Sequence, residues 1–258
     1  MAVEFKFLQH SVVVRNGWSL WLPGRVIKGL VNFSEPDIYS EDTTQKYPLG
    51  AKLEFSDGRL FRYGKHGETN TSPPMARLVV NANLVPGAPG GADVDGFEGD
   101  LHTAAVAGDE DVDLEIATAY AENFFEDGHL SVFVDVAPSH YVEYRVAGSE
   151  LGDGTYCRVY LDKPLKRAIT ATEGVTAYKS QFSNLKTGIN AGFVSAVGAS
   201  LCTPFTTGKF SWIQRRGRCI VTPTAYFGDT ADERMAQLHS DGTIALKAAH
   251  GTHTVGYL

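Results

Sequence analysis

The sequence predicts a mainly β protein of antiparallel, sandwich-like sheets, with one notable helix near residues 73–84. Three observations carry that expectation. Apolar and polar residues alternate with period two in segment after segment, as on strands whose side chains point to opposite faces. Gly is abundant at 27 residues and aromatic residues reach 11%, a pairing that suits short strands joined by tight turns. One stretch stands apart by placing its apolar residues at helical spacing.

In chain order, "VEFKF", "HSVVVR" and "GWSLWLPGRVIKGLVNF" open with strand alternation. "AKLEFSDGRLFRYGKHG" is the clearest hairpin: Leu53 and Phe55 alternate, Asp57-Gly58 turns, and Leu60-Phe61-Arg62-Tyr63 returns. In "SPPMARLVVNANLVPG", Ser72 is a cap, Pro73 and Pro74 suit a first turn, and Met75, Leu78, Val79 and Ala82 share a helical face. Further strands are expected in "DVDLEIATAY", "GHLSVFVDVA", "HYVEYRVAG", "TYCRVYLD", "GVTAYKS", "GFVSAVGA", "FSWIQRRG", "RCIVTP" and "TIALKAA", with a short turn of helix in "DTADERMAQLHS". Two stretches interrupt this pattern. Residues 32–50 are polar with two prolines and read as a linker or extended arm, and 85–100 read as a Gly- and Pro-rich loop. The domain expectation is therefore a 1–46 N-terminal β arm or small subdomain. A 47–258 β-rich structural region follows, either undivided or split into two subdomains near 85–100.

Composition removes several classes. A net charge of -7 repels a polyanion as a whole, so a general nucleic-acid coat is not expected. Cys157, Cys202 and Cys219 are odd in number and lack CxxC spacing, so neither a zinc site nor a disulfide framework follows. Glu4, Lys6 and His10 fall where a signal peptide needs an apolar run, and no stretch approaches the ~18 apolar residues of a membrane helix. The expectation is a soluble protein that binds neither nucleic acid nor membrane.

Candidate chemistry is sparse. Asp109, Asp111, Asp113 and Glu115 recur every second residue, but an EF-hand needs Gly and Glu where Leu114 and Tyr120 stand. With Val112, Leu114 and Ile116 on the alternate face, the segment reads as a strand with a solvated acidic side. Asp93, Asp95, Glu98 and Asp100 sit in a loop able to make only a loose metal site. His250 and His253 are three apart, which on a strand sends them to opposite faces. No GxSxG, Walker loop or GxGxxG occurs, so the expectation is a protein without enzymatic activity, metal or cofactor.

The most distinctive stretch is "FSWIQRRGRCIVTP". Alternation puts Phe210, Trp212 and Gln214 on one face, which should be buried, with Gln214 bonded to nearby backbone. Arg215, Arg216 and Arg218 should stay solvated or pair with carboxylates in the same or an adjacent subunit.

From about Tyr47 to Leu258 the chain resembles capsid-associated structural proteins of tailed bacteriophages. The resemblance is carried in order by "YPLGAKLEFSDGRLFRYGKHG", "FFEDGHLSV" with "YRVAG", "RVYLDKPLKRAI", "GFVSAVGASLCTPFTTGKFSWIQRRGRCIVTP" and "GTIALKAAHGTHTVGYL". Residues 1–46 fall outside it, and Arg215 and Arg216 replace the small or neutral residues usual there. The resemblance implies a head decoration or cement protein on the capsid exterior, made in the host cytoplasm. Its implied partners are the major capsid protein and further copies of itself, as a homotrimer. A head fibre or spike, or a tail-associated carbohydrate-binding module for host recognition, is the alternative, and a glycan hydrolase is a more distant rival. Interfaces favour aromatic residues and arginine, which makes Trp18, Trp21, Phe33, Trp212, Arg215 and Arg216 the interface candidates.

Overall fold

The computed structural model describes residues 11–22, 35–71, 76–82, 96–134, 140–187, 194–222, 235–238, 243–246 and 254–257. Among them every helix or strand element is a strand. The first five are β1 (Ser11–Arg15), β2 (Trp18–Leu22), β3 (Lys52–Phe55), β4 (Leu60–Lys65) and β5 (Arg77–Ala82). The middle six are β6 (Gly96–Gly99), β7 (Asp111–Glu115), β8 (His129–Val134), β9 (His140–Ser149), β10 (Tyr156–Leu161) and β11 (Val175–Tyr178). The last six are β12 (Leu185–Lys186), β13 (Val194–Ser200), β14 (Phe210–Arg216), β15 (Met235–Leu238), β16 (Ile244–Leu246) and β17 (Thr254–Tyr257).

The chain forms two compact units. A middle unit holds β6 to β11. A framing unit combines Val12–Leu22, residues 35–82 and those from Gln181 onward, so the middle unit is an insertion between β5 and β12. The insertion begins and ends at neighbouring strands, since Leu185 pairs with Asn81 and Lys186 with Val80.

The framing unit carries an eight-stranded sheet in the order β1-β2-β3-β4-β14-β13-β5-β12. Cross-strand partners share a face, so the pairs Leu20–Leu53, Leu53–Phe61, Phe61–Gln214 and Tyr63–Trp212 define one apolar side. That side is the core, with Trp18, Leu20, Leu22, Leu53, Phe61, Tyr63, Phe210 and Trp212 all buried. The "SDGR" turn between β3 and β4 forms as its sequence requires. Gly58 takes φ +87, and the Asp57 carboxylate accepts from the Arg59 backbone and guanidinium. Beyond Arg62, β4 leaves β3 and meets β12 instead: the Lys65 amide donates to the Phe182 carbonyl at 2.7 Å, and Gly67 to Leu185 at 2.8 Å. His66 bridges Leu185 in parallel, which closes β4, β14, β13, β5 and β12 into a ring. The close approach needs a glycine, because a Cβ on Gly64 would fall 2.4 Å from Leu185 Cδ1.

Two expectations change here. Residues 77–82 form β5 and no helix, because Val79 is fully buried between two neighbouring strands and long-range pairing outweighs a spacing that also fits a helix. The described part of residues 1–46 is no separate arm. β2 pairs with β3, Trp18 and Leu20 enter the common core, and Asp42 bridges Phe210. The polar 32–50 stretch, read as a linker, buries Ile38, Tyr47 and Leu49 against the same core. The "VEFKF" strand, Phe33, the loop up to residue 95, His250 and His253 lie outside the described residues. Of "DTADERMAQLHS", residues 235–238 form strand β15.

The middle unit is a six-stranded sheet, β6-β11-β8-β9-β10-β7. It too closes on itself. Gly96–Gly99 pairs with β11, and the chain then crosses to the opposite edge. There Glu115 donates to the Asp100 carbonyl at 3.0 Å, His102 to Asp113 at 2.8 Å, and Leu101 bridges Leu114. Inward residues fill the barrel, among them Phe97, Leu114, Leu130, Val132, Val146, Cys157 and Val159. The expected acidic strand is β7: Val112 and Leu114 are buried, while Asp111, Asp113 and Glu115 face outward. A third sheet, β16-β15-β17, is antiparallel.

Candidate functional site on the outer face of the eight-stranded sheet

The opening arginine stretch is β14, the fifth strand of the eight-stranded sheet. Its first five residues are all buried, more than alternation predicts, because both faces of this central strand are covered. Trp212 is 1% exposed and lies 5.1 Å, centroid to centroid, from both Tyr47 and Tyr63. Tyr63 stacks on Phe210 and donates its hydroxyl to Asp42 at 2.7 Å, and burial raises its pKa far above the usual phenol range. Gln214 donates its amide to the Arg216 and Arg218 carbonyls at 3.1 and 2.8 Å, so its polar end is satisfied by local backbone as expected. Trp18 and Trp212 are therefore core residues of this chain and are not free to enter an interface.

The opposite face is where the remaining candidates meet. Ser19 and Trp21 alternate with the buried Trp18, Leu20 and Leu22, so they point outward. Trp21 is 45% exposed, and the Lys52 ammonium on the neighbouring strand sits 4.8 Å from its ring centroid. Lys52 pairs with Glu54 at 2.6 Å, and Glu54 pairs with Arg216 at 2.9 Å. The hydrogen bond and charge of Lys52, followed by Arg216, hold the Glu54 carboxyl below its usual range. Trp21, Lys52, Glu54 and Arg216 thus form one row across the sheet, an aromatic followed by alternating charges. Arg215 and Arg218 are exposed. Such a row suits contact with a protein surface: a ring to bury, a guanidinium to pair, and no group set up for bond making.

Two polar clusters were not foreseen. His66 Nε2 lies 2.7 Å from Ser211 Oγ, its ring stacks on Phe205 at 4.0 Å, and both polar residues are at most 1% exposed. Burial pushes the His66 pKa down to about 4. The pair is sealed from solvent and no substrate can reach it. The two residues are 145 positions apart, so no local motif could announce them. On the middle barrel, Arg158 forks onto both Asp113 oxygens at 2.8 and 3.0 Å and approaches Asp111 at 3.6 Å. This cross-strand cation offsets part of the acidic face. Among the described residues, no group of three or more His, Cys, Asp or Glu is placed to hold a metal ion, and no helix is long and apolar enough to cross a membrane.

No family model matches the chain, and no curated protein or solved structure shows detectable similarity to it.

Proposed function

We propose that the protein is a virion structural protein that binds and stabilises the outer surface of a tailed-phage head, as a decoration or cement protein. The observation that supports this reading is where the resemblance falls in the fold. "YPLGAKLEFSDGRLFRYGKHG" spans buried Tyr47 and Leu49, β3, its Asp57-Gly58 turn and β4, while "GFVSAVGASLCTPFTTGKFSWIQRRG" spans β13 and β14. The likeness therefore rests on residues that build a sheet and its core. It does not rest on surface composition. In this reading the major capsid protein is the partner, the outer row of Trp21, Lys52, Glu54 and Arg216 is a contact surface, and the protein performs no catalysis and needs no cofactor, nucleic acid or membrane. Electron microscopy of particles with and without the protein tests it. Density on the outer shell at hundreds of copies per particle supports the proposal; a handful of copies at a tail or vertex refutes it.

The half-exposed Trp21 and the 64%-exposed Tyr39 favour a second reading, a head-fibre or tail-associated carbohydrate-binding module. Sugars stack on such rings, so a glycan that quenches Trp21 fluorescence, and does not quench it in Trp21→Ala, would select this alternative.

A further inference from the structure

Strand β4 is held on its two sides with unequal strength. Toward β14 it pairs along its whole length, from Leu60 against Arg216 to Lys65 against Phe210. Toward β12 the ring is closed by less. The Lys65 and Gly67 amides donate to the Phe182 and Leu185 carbonyls, and His66 bridges Leu185 in parallel. The Glu68 carboxylate adds a clasp by accepting from the Thr187 amide and hydroxyl. Strand β12 is itself only two residues long, so this seam is the short side of the joint.

His66 sits at that seam. Its amide donates to the Lys209 carbonyl at 2.8 Å, and its carbonyl accepts from the Gly208 amide at 2.7 Å. Its ring stacks on Phe205, with Nε2 against Ser211 Oγ. The other ring nitrogen, Nδ1, is buried and has no hydrogen-bond partner among the described residues. A neutral ring tolerates this, because Nδ1 is then a bare acceptor. A charged ring carries a proton on both nitrogens, and the second N–H would meet no acceptor. No counter-charge is at hand on the described elements packed around it. On its own segment, Lys65 alternates to the opposite face, beside the Phe210 ring, and Glu68 is taken up by Thr187. Lys186 on β12, Lys209 before β14 and the buried Arg77 on β5 have the wrong sign. Glu41 is engaged by the Thr206 amide and hydroxyl, Asp42 by Lys46 and Tyr63, and the Cys202 thiol by the Pro204 carbonyl. Burial is accordingly the cause of the low His66 pKa.

We propose that His66 is an acid-operated latch on the five-strand ring: protonating its imidazole drives it from the seam and parts β4 from β12, while the β4–β14 ladder and the middle barrel stay closed. The ring yields on the β12 side because a few backbone bonds close it there, against a full ladder toward β14. Residues 203–209 open with it, since Phe205 covers the imidazole and Gly208 and Lys209 bond its backbone. Opening uncovers Phe205 and Leu185, both fully buried in the closed ring. The sign follows from the neutral form being the one that fits. The latch holds fully above pH 6.5 and weakens as pH falls toward about 4, so the opening equilibrium grows about tenfold per pH unit and about 300-fold in all. Every residue of the device belongs to the framing unit, and the inference is independent of the virion reading.

Hydrogen exchange of the full chain, read by mass spectrometry as protection factors from about pH 7 down to about 4, tests the proposal. Peptides carrying the Lys65, His66 and Gly67 amides, and those covering 205–209, should lose protection about tenfold per pH unit below 6.5. Peptides from β8, β9 and β10 of the middle barrel should keep theirs. His66→Gln can still bond Ser211 but never charges, so its seam should be indifferent to pH. Ser211→Ala leaves the imidazole titratable, so its seam should remain acid-sensitive. Constant seam protection in the parent, the same loss in His66→Gln, or a loss shared equally by the middle barrel would each overturn the latch. Should His66→Gln fail to fold, the parent decides by itself. Its His66 ring resonance must titrate together with the seam, and a ring that titrates while the seam stays protected refutes the proposal.

Discussion

Replacing Trp212 with alanine removes the largest fully buried side chain of the framing core. Transfer of the ring from water is worth about 2–3 kcal/mol. The tilted contacts with Tyr47 and Tyr63, each at 5.1 Å, add about 0.5–1.5 kcal/mol apiece. The surroundings are β4, β14 and the Tyr47 segment, all held by backbone hydrogen bonds, so the cavity collapses only in part. A loss of about 3–5 kcal/mol is expected. At roughly 2–4 °C per kcal/mol for a unit of this size, the midpoint falls by about 6–20 °C. The assay is unusually selective. The protein has three tryptophans, at 18, 21 and 212, and all belong to the framing unit. Tryptophan emission therefore follows that unit alone, whereas far-ultraviolet circular dichroism reports both. In Trp212→Ala, emission from Trp18 should shift red at the lowered temperature, with Trp21→Ala as a control within about 0.5 kcal/mol of the parent. A Trp212→Ala midpoint within about 2 °C of the parent would refute the packing argument.

Other expectations follow from single contacts. Gly198 sits at a bulge in β13 with φ +157, and a Cβ there would meet the Gln214 carbonyl oxygen at 2.3 Å. Gly198→Ala should therefore cost at least about 2–3 kcal/mol in chemical denaturation, and a neutral result would show that the bulge relaxes. Arg216→Ala breaks an exposed pair with Glu54 and should cost under about 1 kcal/mol, less still in high salt; a new affinity defect for a phosphorylated ligand would instead point to an anion site. His66 has a folded pKa of about 4 against 6.5 when unfolded, so the fold favours its neutral form. The stability this supplies is whole above pH 6.5 and drains away as pH falls toward 4, by about 3 kcal/mol in all. His66→Gln should flatten that limb of the stability–pH curve, and an unchanged limb would assign the acid sensitivity elsewhere.

Much of the fold was legible because strand alternation is a local signal. The "FSWIQRRG" stretch placed Trp212 inside, Gln214 on backbone and the arginines outside, all as found. It understated the burial of Ser211 and Ile213, since a sequence does not say that its strand is central. Residues 77–82 misled because Leu78, Val79 and Ala82 satisfy both periods, and only pairing with β13 and β12 separates them. Trp18 looked like an interface anchor because its core lies across β3, some 35 residues on. Closure of both rings is carried by a few long-range hydrogen bonds at Asp100, His102, Lys65 and Gly67, which leave no periodic trace. The row of Trp21, Lys52, Glu54 and Arg216 spans four adjacent strands, β2, β3, β4 and β14, so only Trp21 and Arg216 could be suspected beforehand.

Placing the middle unit between β5 and β12 has a consequence during synthesis. A ribosome releases the chain from its N-terminus at roughly 5–20 residues per second. Strands β4 and β5 emerge early, yet their partners β14 and β13 follow more than a hundred residues later. The middle barrel takes every described strand from one continuous stretch, so it can mature while the earlier strands still wait. For about 10–30 s at the slower translation rates, "RLFRY" waits for β14 and "RLVVNA" for β13, the strands that will shield them. The nascent framing half is then a natural client for a holding chaperone, and slow codons after residue 180 would lengthen its exposure, whereas slow codons within 96–180 would give the insert time to finish first.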